Sequence, residues 1–176
     1  VPPGLGSHVQ FDRKLDGRIL GAMASIHAMK GAEIGEAFKQ SGQPGTRVHD
    51  AIDMNGDVLT RRTNRAGGLE GGITTGEPIV VRVAMKPIAT VLAGFESVNL
   101  AEGRPEPTTY ERSDFCALPR AVPIGEAMLA FVLADALLEK LGGDSIEEMR
   151  PRFNTLRRNR LSDLPMNNAI WRFGYE

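Results

Sequence analysis

The stretch Arg62-Thr63-Asn64-Arg65-Ala66-Gly67-Gly68-Leu69-Glu70-Gly71-Gly72-Ile73-Thr74-Thr75-Gly76-Glu77-Pro78, called the glycine loop below, carries five glycines between Gly67 and Gly76. Glycine adds no side chain to a core and loses the most backbone entropy on folding. This density therefore predicts backbone at positive φ or in close contact with another group. Leu69 and Ile73 lie inside the loop, unlike the residues of a flexible glycine-rich linker. We predict an ordered, close-packed loop at a functional site, although it follows neither standard phosphate-binding pattern.

A buried strand is predicted directly after the glycine loop. Residues 79–85 are rich in β-branched side chains, and the segment Lys86-Pro87-Ile88-Ala89-Thr90 ends them. An ammonium group and a hydroxyl at a strand end beside a glycine loop suit a phosphate group, although a solvated lysine is the ordinary alternative. We expect Lys86 and Thr90 to lie with Gly71 around one anion-sized pocket.

The first long helix is predicted near the start of the chain. Apolar residues recur at helical spacing from Leu15 to Ile26, which predicts a helix capped by Asp12 and ending before Gly31. Its last turns contain His27. A lone histidine late on an apolar helix is more often a packing residue than a ligand, so the pattern by itself assigns it no chemistry.

A hairpin is predicted between that helix and the glycine loop. Residues 48–53 and 58–62 flank Asn55-Gly56, which is the strongest short hairpin signal. His49-Asp50 lies in the first of these runs. Adjacent strand side chains point to opposite faces, so we assign this pair no chemistry.

A second long helix and a tail complete the chain. Pro123 is expected at the helix start and Gly142-Gly143 at its end. The apolar stripe is so wide that we expect this to be the most deeply buried helix. Aromatic residues alternate with polar ones at the end of the tail, residues 150–176, which could dock as a strand on this chain or on a neighbouring subunit.

Composition narrows the class of protein. A length of 176 residues with 41% hydrophobic residues fits one globular domain, and a net charge of −1 argues against broad nucleic-acid binding. The single cysteine, Cys116, excludes an intrachain disulfide and a cysteine-rich metal site, and no metal is expected. The longest apolar run, residues 127–134, is too short to span a bilayer. We expect a soluble, cytoplasmic protein with neither a nucleic-acid nor a membrane partner.

Several motifs in one order closely resemble the C-terminal half of chorismate synthase. The resemblance covers roughly residues 2–144. It is carried by Pro3-Gly4-Leu5-Gly6, Lys30-Gly31-Ala32-Glu33-Ile34-Gly35, residues 64–78, residues 86–90, Arg112-Ser113-Asp114 and Arg120-Ala121-Val122-Pro123-Ile124-Gly125-Glu126-Ala127-Met128. It implies an α+β fold, a β-α-β sandwich of antiparallel sheets packed on long helices, assembled as a homotetramer.

The resemblance also implies an activity. Chorismate synthase catalyses the 1,4-anti elimination of phosphate from 5-enolpyruvylshikimate 3-phosphate, which gives chorismate in the shikimate pathway of aromatic amino-acid biosynthesis. The reaction needs reduced FMN without net redox change, and NADP is associated with the family.

Site residues are carried over by matching motifs. Asp114 corresponds to a catalytic carboxylate, and Arg112 to a catalytic residue between flavin and substrate that also binds the cofactor. The implied FMN-binding residues are His27, Ala28, Gly71, Lys86, Pro87, Ile88, Ala89, Thr90 and Arg112. The family usually reads Arg-His-Asp-Pro-Cys at the positions of residues 112–116, so Ser113 and Phe115 replace its His and Pro. At the position of His27 the family commonly has Asn or Gln.

The expected organisation has two parts. Residues 1–149 correspond to the C-terminal half of a chorismate synthase-like domain, and residues 150–176 form a C-terminal tail that could dock on a partner subunit. Val1 in place of methionine suggests a fragment or a processed chain. The family's N-terminal histidines and arginines have no match here. A non-catalytic flavin-binding or assembly module is therefore the alternative function.

Overall fold

The computed structural model describes residues 1–111 and 116–164. Its helices are α1 (Leu15–Ser25), α2 (Ala37–Ser41), α3 (Leu118–Leu141) and α4 (Ile146–Asn154), with short 3-10 helices at Phe11–Arg13, Gly45–Arg47 and Leu161–Asp163. Its strands are β1 (Met29–Ile34), β2 (Ile52–Asn55), β3 (Val58–Arg61), β4 (Leu69–Glu70), β5 (Ile73–Thr74), β6 (Val81–Met85), β7 (Val98–Asn99) and β8 (Arg104–Pro105).

The strands form small antiparallel pairs: β1 with β6, β2 with β3, β4 with β5 and β7 with β8. The β1–β6 pair runs from Met29 opposite Met85 to Ile34 opposite Val81 and lies against α1. Helix α1 packs in turn against α3. The architecture is α+β, as the sequence predicted.

The core lies between α1, α3 and the glycine loop. Leu15, Ile19 and Met23 follow one another at a spacing of four residues on α1 and are almost completely buried. They pack with Leu5, Leu69, Val132 and Ala136. The helical periodicity read from the sequence is therefore confirmed, and it identifies the face of α1 that the core covers.

Helix α1 ends earlier than predicted. Its last residue is Ser25, and Ile26 already has extended backbone at φ −72°, ψ 132°. The following residues Met29–Ile34 form β1, because backbone pairing with β6 satisfies the donors and acceptors that a longer helix would have satisfied. His27 therefore lies in a turn rather than in the helix.

The start of α1 also differs from the prediction. Asp12 belongs to the 3-10 helix that precedes α1, and Lys14 at the N-cap position makes no side-chain capping bond. Instead, the N–H of Leu15 donates to the carbonyl of Gly72, at 3.0 Å. The glycine loop thus satisfies one of the free N–H groups at the helix start.

Helix α3 begins five residues before Pro123, at Leu118. Pro123 has no N–H to donate, which costs the helix one internal hydrogen bond. The helix ends at Leu141, where Gly142 has φ +62°, as the sequence predicted.

The expectation that α3 is the most deeply buried helix is wrong within the described residues. Phe131 is 74% exposed, and Val122, Ile124 and Leu138 are also exposed. An open apolar groove of about 370 Å³ lies between its first turns and β6. By length and composition alone, α3 is long and apolar enough to cross a membrane, although core helices of soluble proteins meet the same two criteria. The prediction from the eight-residue apolar run, that no segment is long enough to span a bilayer, therefore does not hold for α3.

The hairpin is confirmed, with Asn55 pairing with Val58 around a turn at Gly56. The described part of the tail docks on the same chain. Arg160 pairs with Val58 in an isolated antiparallel bridge, and the N–H of Leu161 donates to the carbonyl of Asp57, at 2.9 Å. The aromatic end of the tail lies outside the described residues.

We expect Gly67→Ala to destabilise the protein. Gly67 has φ +64°, and an added Cβ would lie 2.3 Å from the backbone nitrogen of Gly35. Left-handed backbone and overpacking together should cost roughly 2 to 5 kcal/mol of unfolding free energy, measured by chemical denaturation. The matched control is Gly17→Ala in α1, where an added Cβ meets no atom within 4 Å. It should raise stability by up to about 1 kcal/mol. Equal effects of the two substitutions would contradict this account.

We also expect a polypeptide of residues 1–176 alone to be oligomeric or aggregation-prone. The exposed apolar side chains of α3 and β6 are the physical reason. Light scattering coupled to size exclusion measures the mass in solution. A stable monomer would overturn the prediction.

Candidate functional site

The glycine loop is ordered and close-packed, as predicted. Gly68 has φ +80°, and an added Cβ would lie 2.5 Å from the carbonyl oxygen of Pro78. Gly72 has φ +87°, and its Cβ would lie 2.6 Å from the carbonyl oxygen of Ser7. Glycine is therefore required at these positions both by conformation and by space.

Gly71 differs from these neighbours. It has φ +60°, but an added Cβ would meet no atom within 4 Å. It lies in the turn between β4 and β5, with its face open. This is the one position of the loop's five glycines where a group from outside could approach the backbone closely.

A buried carboxylate anchors the start of the loop. Asp50 is 8% exposed, and its Oδ1 accepts hydrogen bonds from the Thr63 hydroxyl and from the N–H of Arg65, the latter at 2.8 Å. Its Oδ2 accepts from the N–H of Ala66, at 2.9 Å. Burial alone would raise the pKa of Asp50, but these hydrogen bonds and the Arg65 charge outweigh it and hold the pKa below its ordinary value.

A second side chain fixes the middle of the loop. The Asn64 amide donates to the carbonyl of Pro78, at 2.8 Å, and its Oδ1 accepts from the N–H of Gly68, at 2.8 Å. Next to the open turn, Arg61 pairs with Glu70, at 2.9 Å. The loop is thus tied at both ends, so that Gly71 has a defined position.

Three further predicted site residues, His27, Ala28 and Lys86, lie just beyond the opposite end of α1. His27 and Ala28 form the turn between α1 and β1, and Ala28 has φ +67°, an uncommon conformation for a residue other than glycine. The carbonyl of Ala28 accepts from the N–H of Lys86, at 2.7 Å. This bond holds the His27 turn against the end of β6, where the segment from Lys86 to Thr90 begins.

A groove of about 440 Å³ opens beside this turn. His27 and Arg120 contribute its polar groups, and the remaining lining is mostly apolar: Ile26, Met29, Met85, Ala117, Ala121, Ile124 and Met128, with Ser25. Its walls thus come from the α1–β1 turn, from the end of β6 and from the first turns of α3. An apolar surface with a few polar groups at its rim is typical of a cofactor site.

The segment that follows β6 is partly open to solvent. Lys86, Pro87 and Ala89 are exposed, and Ile88 and Thr90 are half-buried. Within the part of the chain that the structure describes, no side chain pairs with the Lys86 ammonium group.

Arg112 and Asp114 lie outside the described residues, as do Ser113 and Phe115. Cys116, which follows them, is exposed, and α3 begins at Leu118. The first turns of α3 line the groove that His27 and Met85 also line.

The prediction that Gly71, Lys86 and Thr90 surround one anion-sized pocket is wrong for a single chain. Gly72 bonds to the first residue of α1, whereas Lys86 bonds to Ala28, just beyond the end of that helix. At 1.5 Å of rise per residue, the 11 residues of α1 span roughly 16 Å. A ligand that contacts both would have to extend along the whole of α1.

Sequence reasoning missed two residues of this arrangement. Asp50 was assigned no chemistry because its neighbourhood reads as a strand, whereas the chain bends before β2 and buries the carboxylate. Arg120 lines the groove only because α3 starts earlier than the position of Pro123 indicated. Among residues 1–111 and 116–164, no group of three or more His, Cys, Asp or Glu side chains could hold a metal ion.

Comparison with known proteins gives a consistent result. The sequence profile of the family described as "Chorismate synthase" matches residues 1–138. The chain is 51% identical over 148 residues to the chorismate synthase of Thermobifida fusca, with 84% of this chain and 38% of that protein aligned. It is 56% identical over 150 residues to that of Desulforudis audaxviator, with 85% of this chain and 38% of that protein aligned.

A solved structure shows the same fold. A chain described as "Crystal Structure of Chorismate Synthase" superposes with a TM-score of 0.70 at 52% identity, covering 88% of this chain and 39% of that one. The fold and its arrangement define the class: an α+β protein with a glycine loop at one end of a helix and an apolar groove at the other. The chain belongs to the chorismate synthase family.

The chain spans about two fifths of the length of the curated relatives that it matches. The assignment of residues 1–149 to the C-terminal half of the family's chain stays a prediction.

The lowered pKa of Asp50 predicts how stability depends on pH. A carboxylate whose pKa is lower in the folded state stabilises that state above its unfolded pKa of about 3.9. The contribution is lost as pH falls through the lower, folded pKa. We therefore expect Asp50→Asn to reduce the free energy of unfolding at pH 7, and the gap to wild type to shrink in acid below pH ~4.

Urea denaturation at a series of pH values measures this gap. Asp12→Asn is the control, because Asp12 is exposed and forms a long ion pair with its neighbour Arg13, at 3.8 Å. If the difference in unfolding free energy between Asp50→Asn and wild type stayed constant down to pH 2, the charge of Asp50 would not contribute to stability.

Proposed function

We propose that the complete protein is a chorismate synthase, a carbon–oxygen lyase that eliminates phosphate from 5-enolpyruvylshikimate 3-phosphate. The observation that carries the proposal is the groove lined by His27 and Met85, beside which the N–H of Lys86 donates to the carbonyl of Ala28. His27, Ala28 and Lys86 match an ordered set of family motifs in a chain about half identical to named chorismate synthases. A cytoplasmic location and a homotetrameric assembly belong to the same proposal.

The residues present fit FMN by their chemistry. The apolar wall formed by Met29, Met85 and Met128 suits the flat face of a flavin ring. Arg120 brings positive charge to this groove, and the exposed Lys86 directly follows Met85 of its lining, so both cations suit the phosphate of the cofactor. Gly71 lies at the other end of α1, so its open face could contact the same cofactor only where FMN extends along that helix.

Each chain residue has a proposed role. Lys86 to Thr90 hold the phosphate end of the cofactor, and His27 and Ala28 contact it from the α1–β1 turn. Arg112 contacts both cofactor and substrate, so that its charge orients the departing phosphate group. Asp114 is the carboxylate that holds or moves a proton beside the substrate. Ser113 and Phe115 differ from the usual residues of the family, but Arg112 and Asp114 are the usual ones.

When bound, the reduced flavin supplies electron density that stabilises the electron-poor allylic carbon as phosphate departs. The apolar groove would exclude water from the bound cofactor. The non-catalytic module is not favoured, because the proteins that this chain matches are named as chorismate synthases.

The test is a chorismate assay of the complete protein with reduced FMN and 5-enolpyruvylshikimate 3-phosphate. We expect Asp114→Asn to lower turnover by roughly a hundredfold or more, the usual contribution of a proton-transfer group, with little change in unfolding temperature. Asp144→Asn is the control, because Asp144 is an exposed residue just after α3. Full activity in Asp114→Asn would remove the catalytic role, and a wild-type protein that forms no chorismate would refute the proposed function.

A further inference from the structure

Asp50 is a buried carboxylate that the proposed chemistry does not use. Its two oxygens accept three hydrogen bonds, from the Thr63 hydroxyl and from the N–H groups of Arg65 and Ala66. All three donors belong to the first residues of the glycine loop. A carboxylate so placed acts on the loop rather than on solvent.

The carbonyl of Arg65 extends this contact to β1 and α2. It accepts from the N–H of Glu36, at 2.9 Å, and from the Gln40 side chain, at 2.7 Å. Directly beyond it, Gly67 packs on Gly35 at a distance that leaves no room for a Cβ. The residues that Asp50 binds therefore lie where the loop meets the end of β1.

From this anchor the chain runs in defined steps to the open turn. The N–H of Gly68 is held by Asn64, within the segment that Asp50 fixes. Leu69 is then buried in the core, and β4 and β5 pair around Gly71 and Gly72. Few backbone bonds between the anchored segment and Gly71 are free to rotate. A displacement of that segment would therefore be transmitted to Gly71.

We propose that Asp50 is a positioning residue for flavin binding: it fixes the glycine loop so that the backbone of Gly71 meets the cofactor. The inference rests on the proposed function, because it takes FMN as the ligand. Asp50 itself touches neither cofactor nor substrate in this account. Its effect passes through Thr63, Arg65 and Ala66 to the open turn.

The main experiment measures the FMN dissociation constant of the complete protein by fluorescence titration, well below the unfolding temperature. Asp50→Asn should weaken binding roughly tenfold, because an amide nitrogen replaces one of the accepting oxygens and faces a backbone N–H. Asp57→Asn is the matched control. Asp57 is an exposed carboxylate in the turn between β2 and β3, and it accepts from the Ser162 hydroxyl, at 2.8 Å, rather than from the glycine loop, so its loss should leave FMN affinity unchanged.

A double-mutant cycle separates positioning from general loss of stability. If Asp50 acts through Gly71, then Asp50→Asn combined with Gly71→Ala weakens FMN binding by less than the two single effects together. Strictly additive effects, or an unchanged dissociation constant in Asp50→Asn with only a lower unfolding temperature, would overturn the inference.

A gentler pair of variants covers the case in which Asp50→Asn does not fold. Thr63→Val removes one hydroxyl donor to Asp50, whereas Thr63→Ser keeps it. We expect Thr63→Val to weaken FMN binding severalfold and Thr63→Ser to bind as wild type does. Equal affinity in both would overturn the inference. If the wild-type protein binds no FMN, both the proposed function and this inference are refuted. If the wild type binds FMN and Asp50→Asn binds it equally well, only the inference is refuted.

Discussion

The close approach of Gly67 to Gly35 is the constraint on which the described structure depends. An added Cβ on Gly35 would lie 2.0 Å from the carbonyl oxygen of Arg65, so neither chain segment tolerates a side chain at the contact. This contact places the glycine loop against the end of β1. From there the loop buries Leu69 in the core and presents the Gly72 carbonyl to the first residue of α1. Removing the contact would disturb a strand end, a helix start and the core together.

The two ends of α1 carry different parts of the candidate site. At its start lies Gly71 with an open face, and just beyond its end lie His27, Ala28 and the strand end at Lys86. The helix is held between them by its buried stripe and by ion pairs to α3, among them Arg18 with Asp135. A rigid helix with a functional group at either end keeps the two groups at a constant distance. That arrangement suits an elongated cofactor better than a single phosphate ion.

Much of this could be predicted from local sequence. The buried stripe of α1, the hairpin at Gly56 and the order of the glycine loop all follow from periodicity or from glycine stereochemistry, and the structure has them. The end of α1 could not be predicted, because nothing local stops the helix before Gly31. It stops because Met29–Ile34 finds a partner strand far along the chain. The role of Asp50 was missed for the same reason, since its three donors lie 13 to 16 residues away.

The sequence by itself determined the family, because ordered motifs around the glycine loop and Lys86 are specific when taken together. It also determined which side chains α1 buries, since apolar spacing sets the buried face whatever the partner is. Only the tertiary structure decided where the site residues meet. Gly71 and Lys86 are close along the chain but are kept apart by the length of α1, whereas His27 and Arg120 are far apart in sequence and line one groove. Periodicity reports the environment of one element at a time, and distances between elements arise from long-range pairing and packing that no local pattern encodes.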